Sequence, residues 1–329
     1  MPLPRAVLAV TLLLAAACGR PAVAPAPFTD PAAHRASRIA VAPGVRVEVL
    51  DWGGTGPALV FLAGGNNTGH SFDTFAPRFT DRFRVLAITR RGLGASDVPN
   101  PGPYDGPTLA ADVKAVLDSL GIARAVLVGH SFGGVEVSWF AVAYPERVEK
   151  LVYLDSGCPG CPPQVRARPF RPRGPPLTGR DTLTPAGMMA YQRRELGFSF
   201  PEAELRAINR YAGGTVRAAA PLFVREALAA GAGRPDLAKV TAPALGIFAE
   251  RATVEQEFRW SARMRRPERT LAQVYVDAVL PTRRAAREQF ARALPNLRVE
   301  VIPGAEHFIF LSHPDQVERL MRAFLLPRP

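Results

Sequence analysis

One ten-residue stretch constrains this chain more than any other: Ala125-Val126-Leu127-Val128-Gly129-His130-Ser131-Phe132-Gly133-Gly134. A continuous apolar run enters a Gly-x-Ser-x-Gly turn, and an apolar-periodic segment, Gly133 to Tyr144, follows. A strand buried on both faces that turns at once into a helix accounts for all three parts. So tight a turn needs small residues at its flanks, here Gly129 and Gly133. It lifts the Ser131 hydroxyl above the edge of the sheet, with a helix amino end behind it that favours developing negative charge. The plain alternative is a glycine turn with an idle serine; the strand-turn-helix context weighs against it.

Other segments extend the pattern. Val45 to Leu50, Ala58 to Leu62, Arg84 to Ile88, Leu151 to Leu154, Ala244 to Phe248 and Leu297 to Ile302 read as strands. Leu109 to Leu120, Arg283 to Leu294 and Pro314 to Leu325 read as helices. Strands alternating with helices predict an α/β fold, a mostly parallel doubly wound sheet covered on both sides. The alternation stops between Cys158 and Val240. That stretch opens with a Pro/Arg-rich loop and continues with helical patterns near Thr184 to Leu196, Pro201 to Tyr211 and Val216 to Ala230. It is expected to be a helical lid over the carboxyl edge of the sheet, where open α/β folds bind ligands. The domains expected are a core of 38–157 and 241–329 and a lid of 158–240.

The chain has 329 residues, 47% hydrophobic and 21% charged, which excludes a wholly disordered chain and a polytopic membrane protein. Its net charge of +12 comes mostly from arginines scattered among Ala, Pro and Gly. No basic block with interleaved aromatics marks a nucleic-acid surface. At the N-terminus, Arg5 precedes the apolar run Ala6 to Ala17, too short to span a bilayer. Residues 1–18 are expected to be a signal peptide, with 19–37 a Pro/Ala-rich tether. The run ends Ala15-Ala16-Ala17-Cys18, which resembles a bacterial lipoprotein cleavage box, although a leucine is usual where Ala15 stands. The resemblance implies lipidation of Cys18 and a place at the cell envelope. Cleavage nearer Ala24 and simple secretion or periplasmic residence is the other reading.

In chain order, the pieces Val60-Phe61-Leu62-Ala63-Gly64-Gly65, Arg91-Gly92-Leu93-Gly94-Ala95-Ser96-Asp97, Gly129 to Gly134, Tyr144-Pro145-Glu146-Arg147-Val148 and Gly304-Ala305-Glu306-His307-Phe308 resemble the α/β-hydrolase family. The resemblance runs from Val45 to Leu326, with 158–240 matching in position alone. It is nearest to the serine esterase and cofactor-free haloperoxidase branch. Epoxide hydrolases and haloalkane dehalogenases of that family carry aspartate where Ser131 stands. The resemblance implies Ser131 as nucleophile and His307, in the turn after the last strand, as base. It also implies an oxyanion hole from the backbone N–H groups of Gly65 and Phe132, with Gly64 and Asn66 one register step away. His-Gly is frequent in the family where Ala63-Gly64 stands, but backbone donors do not need that histidine.

The acid departs from the family's commonest pattern. After Ala244 to Phe248 the chain reads Ala249-Glu250-Arg251-Ala252, with alanine in the usual place. Asp155, ending Leu151 to Leu154, and Glu250 are the two candidates, and Asp155 is preferred because some family members carry the acid after that strand. Cys158-Pro159-Gly160-Cys161 reads as a local disulfide of an exported protein, ahead of a redox or zinc motif.

Together these features predict an exported serine hydrolase that cleaves small esters through an acyl-enzyme, with no metal or organic cofactor. Met188, Met189, Phe198, Phe200 and Phe223 in the lid suggest an apolar substrate, or simply pack the lid onto the core. No nucleic-acid partner is expected, and the membrane is met through the anchor alone. The rivals are perhydrolysis on the same triad, a binding protein that has lost catalysis, and a thiol oxidoreductase at Cys158 and Cys161.

Overall fold

The computed structural model describes residues 28–157, 159, 170–212 and 215–326. By its internal contacts the chain divides into Met1–Pro31 and Ala32–Pro329, and the second unit is the one described below. It opens with β1 (Arg35–Ala42), β2 (Val45–Gly53), β3 (Ala58–Leu62) and β4 (Arg84–Thr89). Then come α1 (Gly106–Ser119), β5 (Ala125–His130), α2 (Gly133–Ala143) and β6 (Val148–Leu154). An insertion follows: α3 (Gly179–Thr182), α4 (Pro185–Leu196), α5 (Glu202–Ile208), β7 (Asn209–Ala212), β8 (Thr215–Ala218) and α6 (Leu222–Gly231). The chain then returns to β9 (Ala244–Glu250), α7 (Val254–Glu257), α8 (Arg266–Ala293), β10 (Leu297–Pro303), α9 (Ile309–Ser312) and α10 (Pro314–Leu325).

One eight-stranded sheet carries the unit, in the order β1-β2-β4-β3-β5-β6-β9-β10. The β1–β2 and β2–β4 pairs are antiparallel, and the rest are parallel. Every residue of β3 and β5 is buried, which is why both read as unbroken apolar runs. Alternate residues feed two cores. Val60 and Leu62 face Val113, Val116 and Phe140 of the α1 and α2 layer. Leu59 and Phe61 face a pile of rings, Phe72, Phe75, Phe79 and Phe310, beside Val317 and Met321 of α10. Phe61 stands 4.9 Å from Phe72, and Phe72 4.7 Å from Phe310, centroid to centroid. These tilted and edge-on contacts follow the ring quadrupole.

Three expectations need correction. Strand β1 starts at Arg35, inside the segment expected to be a tether, and pairs with β2 from Arg35↔Asp51 to Ala42↔Val45. Ile39 is its one buried residue, so no buried alternation announces this edge strand. His34, also assigned to the tether, sets its ring 5.3 Å from Trp52. In the insertion, the hairpin β7–β8 stands where one helix was to end and another to begin. Gly213-Gly214 lies between its strands, a pair that favours hairpin turns over helix. The helix expected over 283–294 is the second half of α8, which runs through Pro281. Proline is a strong stop signal, yet Tyr275, Val276 and Phe290 of this helix are buried, and tertiary packing overrides the local preference. Among the described residues no helix is long and apolar enough to cross a membrane.

Candidate active site

Ser131 sits between β5 and α2 at φ 50°, the left-handed region that a non-glycine residue rarely occupies. The turn around it is closed by backbone. Ser131 N donates to Leu154 O at 3.1 Å, and Gly134 N donates to Ser131 O at 3.0 Å. Ser156 Oγ donates to the same carbonyl at 2.9 Å. A Cβ on Gly129 would collide with the Gly133 carbonyl, and one on Gly133 with the Leu62 carbonyl. The spacing of small residues is therefore required by the close approach of three backbone segments.

Asp155 stands at the end of the neighbouring strand β6, also with positive φ, 44°. Its Oδ2 lies 2.7 Å from His307 Nδ1, and its Oδ1 accepts from Ala249 N at 2.9 Å. His307 follows β10, its side chain 43% exposed. Among the described residues no hydrogen bond links the Ser131 hydroxyl to the imidazole; such contacts are often loose without substrate. Glu250 faces elsewhere. Arg284 Nη2 at 2.7 Å and Arg287 Nη2 at 2.9 Å, both from α8, bind its carboxylate and hold its pKa down at about 2. The structure thus brings Asp155 to His307 and directs Glu250 to two arginines.

His130, next to the serine, is a strut. Its Nε2 donates to the His307 carbonyl at 3.0 Å, and its ring lies 4.7 Å from that of His307. Full burial, with His307 next to it, pushes its pKa well below the ordinary range, so it is neutral at pH 7.

The loop after β3 is held by a residue that sequence inspection passed over. Arg90 directly follows β4 and is buried against Glu136 of α2, with Nε to Oε1 at 2.9 Å and Nη2 to Oε2 at 2.9 Å. Its remaining donors reach Gly64 O at 2.6 Å, Gly65 O at 3.1 Å and Ala63 O. A trans peptide carries its C=O and N–H on opposite edges. Drawing the Gly64 carbonyl to Arg90 therefore turns the Gly65 N–H the other way. A Cβ on Gly65 would stand 3.8 Å from Phe132 Cβ, so the two candidate oxyanion donors are neighbours. Arg90 also lies 5.1 Å from the Phe132 ring centroid. Arg90 carries no local motif; its role comes from the three carbonyls the fold sets before it.

A cavity of about 300 Å³ opens beside this loop. Asn66 and Phe308, the chain neighbours of Gly65 and His307, line it, together with Phe200, Asn209 and Arg225 of the insertion. Of the apolar lid candidates, Phe200 alone lines it; Met188 and Phe200 pack with Leu205 and the partly buried Phe308, and Phe223 is 36% exposed. The insertion is tied to the same loop by Glu204 of α5, fully buried. It accepts from Asn67 Nδ2 at 2.8 Å, Thr68 N at 3.2 Å and Thr68 Oγ1. Burial raises its pKa to about 7 against these hydrogen bonds.

A chain of buried polar groups lies apart from the serine. His70 has Asp73 at 3.1 Å on Nδ1 and Glu48 at 3.6 Å on Nε2, and His34 Nε2 stands 3.4 Å from Asp73. These two carboxylates outweigh its burial and raise His70 to about 10, which makes it an imidazolium in an ion-pair chain. Cys18, Cys158 and Cys161 lie outside the described residues.

Fold and site together define a hydrolase of the α/β class. The chain matches the model of the alpha/beta hydrolase family over residues 59–320, and it belongs to that family. It is 32% identical over 181 residues to bifunctional epoxide hydrolase 2 of Sus scrofa, covering 54% of this chain and 30% of that one. It is 34% identical over 170 residues to a non-heme chloroperoxidase of Streptomyces lividans, covering 51% and 59%. The matched stretches span 28% to 36% of the length of the first curated relatives. Among solved structures it is similar to E-2-(acetamidomethylene)succinate hydrolase, with a TM-score of 0.64 and 22% identity over 89% of this chain and 99% of that one.

Proposed function

We propose that this protein is a serine hydrolase that cleaves carboxylic esters through an acyl-enzyme. The contact of 2.7 Å between Asp155 Oδ2 and His307 Nδ1, on the sheet edge where Ser131 emerges, carries the reading. Asp155 holds the Nδ1–H tautomer and leaves Nε2 free to take the Ser131 proton. Ser131 Oγ then attacks the ester carbonyl. The N–H groups of Gly65 and Phe132 bind the oxyanion, aimed by the Arg90 clamp. His307 returns the proton to the leaving alcohol, and water repeats the steps on the acyl-enzyme.

A serine nucleophile favours acyl transfer over the epoxide chemistry named for some relatives. Perhydrolysis, with peroxide in place of water, is the second reading; the similarity to a chloroperoxidase favours it. The case for a binding protein without catalysis rested on the missing acid after β9, and Asp155 at His307 removes that ground. We also propose export and lipid attachment at Cys18. The central test is labelling with a fluorophosphonate and turnover of simple aryl esters. Ser131→Ala is expected to lose both while keeping its circular dichroism; full turnover in the folded variant overturns the reading.

A further inference from the structure

Arg225 stands out among the arginines that are not exposed. Arg90 faces Glu136, Arg91 faces Asp112, Arg251 faces Glu257, and Arg287 faces Glu250. Arg225 lines the cavity beside the oxyanion loop and makes no ion pair among the described residues. Its Nε is buried with no hydrogen-bond partner. The residues outside the described set contain no Asp or Glu side chain, so the sequence supplies none from there. Glu204 is spent on Asn67 and Thr68. A guanidinium Nε withdrawn from water without an acceptor is unfavourable, and a bound anion relieves it.

Two further features narrow the anion. The cavity is at the small end of ligand pockets, which suits a short chain. Its walls are mixed: Leu93, Phe200 and Phe308 are apolar, while Asn66 and Asn209 bring side-chain amides. Asn66 follows Gly65 directly. The cavity thus begins at the residue next to the candidate oxyanion donor, and a short acyl chain entering it past Asn66 would run toward Arg225. The Nε–Nη edge of a guanidinium matches a planar carboxylate with two parallel hydrogen bonds.

We propose that the substrate carries a second, free carboxylate, as in a half-ester of a short dicarboxylic acid, and that Arg225 is the residue that selects it. This rests on the reading of Ser131 as an acyl-transfer nucleophile and replaces an apolar substrate by an anionic one. Recognition is by charge, so high salt weakens it only in part inside the cavity.

The experiment compares kcat/KM for monomethyl glutarate and for its uncharged isostere, in which isopropyl replaces the carboxylate. The wild type is expected to favour the acid, and Arg225→Gln to lower the acid-to-neutral ratio roughly 100-fold. A wild-type ratio near one, or a ratio unchanged in Arg225→Gln, overturns the proposal. Hydrolysis of both esters by Ser131→Ala at the wild-type rate overturns the serine reading instead. Should the wild type hydrolyse neither ester, calorimetry of glutarate with Ser131→Ala decides. Binding that is lost in the Ser131→Ala/Arg225→Gln double variant supports the carboxylate site, and absence of binding overturns it.

Discussion

Asp155 and Glu250 end neighbouring strands within one sheet, and their surroundings assign them different work. Asp155 divides its two oxygens between His307 Nδ1 and the Ala249 N–H, so the carboxylate is held from both sides against the imidazole. Glu250 is held by Arg284 and Arg287 of α8. Asp155→Asn is therefore expected to lower turnover of an aryl ester at neutral pH by three to four orders of magnitude, as loss of the acid does in a related triad, about 10⁴. Glu250→Gln is expected to lose far less; a collapse in Glu250→Gln alone would transfer the role. Its depressed pKa gives a separate signature. The stabilisation from its arginine pairs is complete above the ordinary glutamate value of 4.5 and disappears as pH falls toward about 2. Melting temperatures of wild type and Glu250→Gln should converge over that acid range. Asp155 and Glu250 could both be picked out in the sequence, because Ala252 leaves the family's usual place empty and each follows a strong apolar run. Arg90 and Arg225 could not. Lysines and arginines number 41 in all, and nothing local separates these two from the rest. What distinguishes them is a set of carbonyls and a cavity, both created by tertiary structure.

At the scale of elements, two buried carboxylates tie pieces of chain to the site. Glu136 of α2 and Arg90 after β4 clamp the loop after β3. Arg90→Met leaves Glu136 buried and unpaired, a loss of about 3–5 kcal/mol. The double variant Arg90→Met/Glu136→Met removes both charges and should recover most of the melting temperature. Its kcat should remain lower by roughly 10²–10³, because the Gly65 N–H is no longer aimed. Recovery of both stability and kcat would mean that the clamp only supports the fold. Glu204 of α5 is the second tie, holding the insertion to Asn67 and Thr68. Its pKa is raised in the folded protein, from 4.5 to about 7. The folded state keeps a proton there that the unfolded chain has already released. The stability this lends is full below pH 4.5 and is lost as pH rises through about 7. Its size is on the order of 3 kcal/mol. Melting temperature should therefore fall between about pH 5 and 7.5 in wild type relative to Glu204→Gln, and equal slopes would count against the assignment. Neither tie has a periodic signature. The same holds for β1, an exposed edge strand, and for β7 and β8, four residues each, whereas the other strands stood out either as apolar runs or, for β2 and β10, by alternation.

At the scale of the molecule, the strand order explains why a nucleophile, a base and an acid far apart in sequence converge. Strands β3, β5, β6, β9 and β10 are consecutive in the sheet and parallel. Gly65, Ser131, Asp155, Glu250 and His307 follow or end those strands, all on the carboxyl side. Any sequence whose alternation implies this sheet already implies that edge as the site, which is why the site's location was legible before its chemistry was. Charge pairing was not legible, since the many arginine–carboxylate contacts join residues distant in sequence. The proposed export also belongs to this scale. The apolar run Ala6 to Ala17 is shorter than the roughly 20 residues a spanning helix needs, and no described helix is long and apolar enough to cross a membrane. The anchor we propose is instead a covalent lipid on Cys18, which stands directly after Ala15-Ala16-Ala17, where the resemblance to a lipoprotein cleavage box would put it. A single acyl chain gives marginal, reversible binding, while two or more hold a protein stably. The mature protein made in a bacterial host is accordingly expected to begin at Cys18, to carry more than one acyl chain by mass spectrometry, and to sediment with membranes at high salt. Cys18→Ser should lack the lipid and appear in the soluble fraction with unchanged ester turnover. A wild-type chain that starts near Pro25 and carries no lipid would show that the segment serves secretion alone.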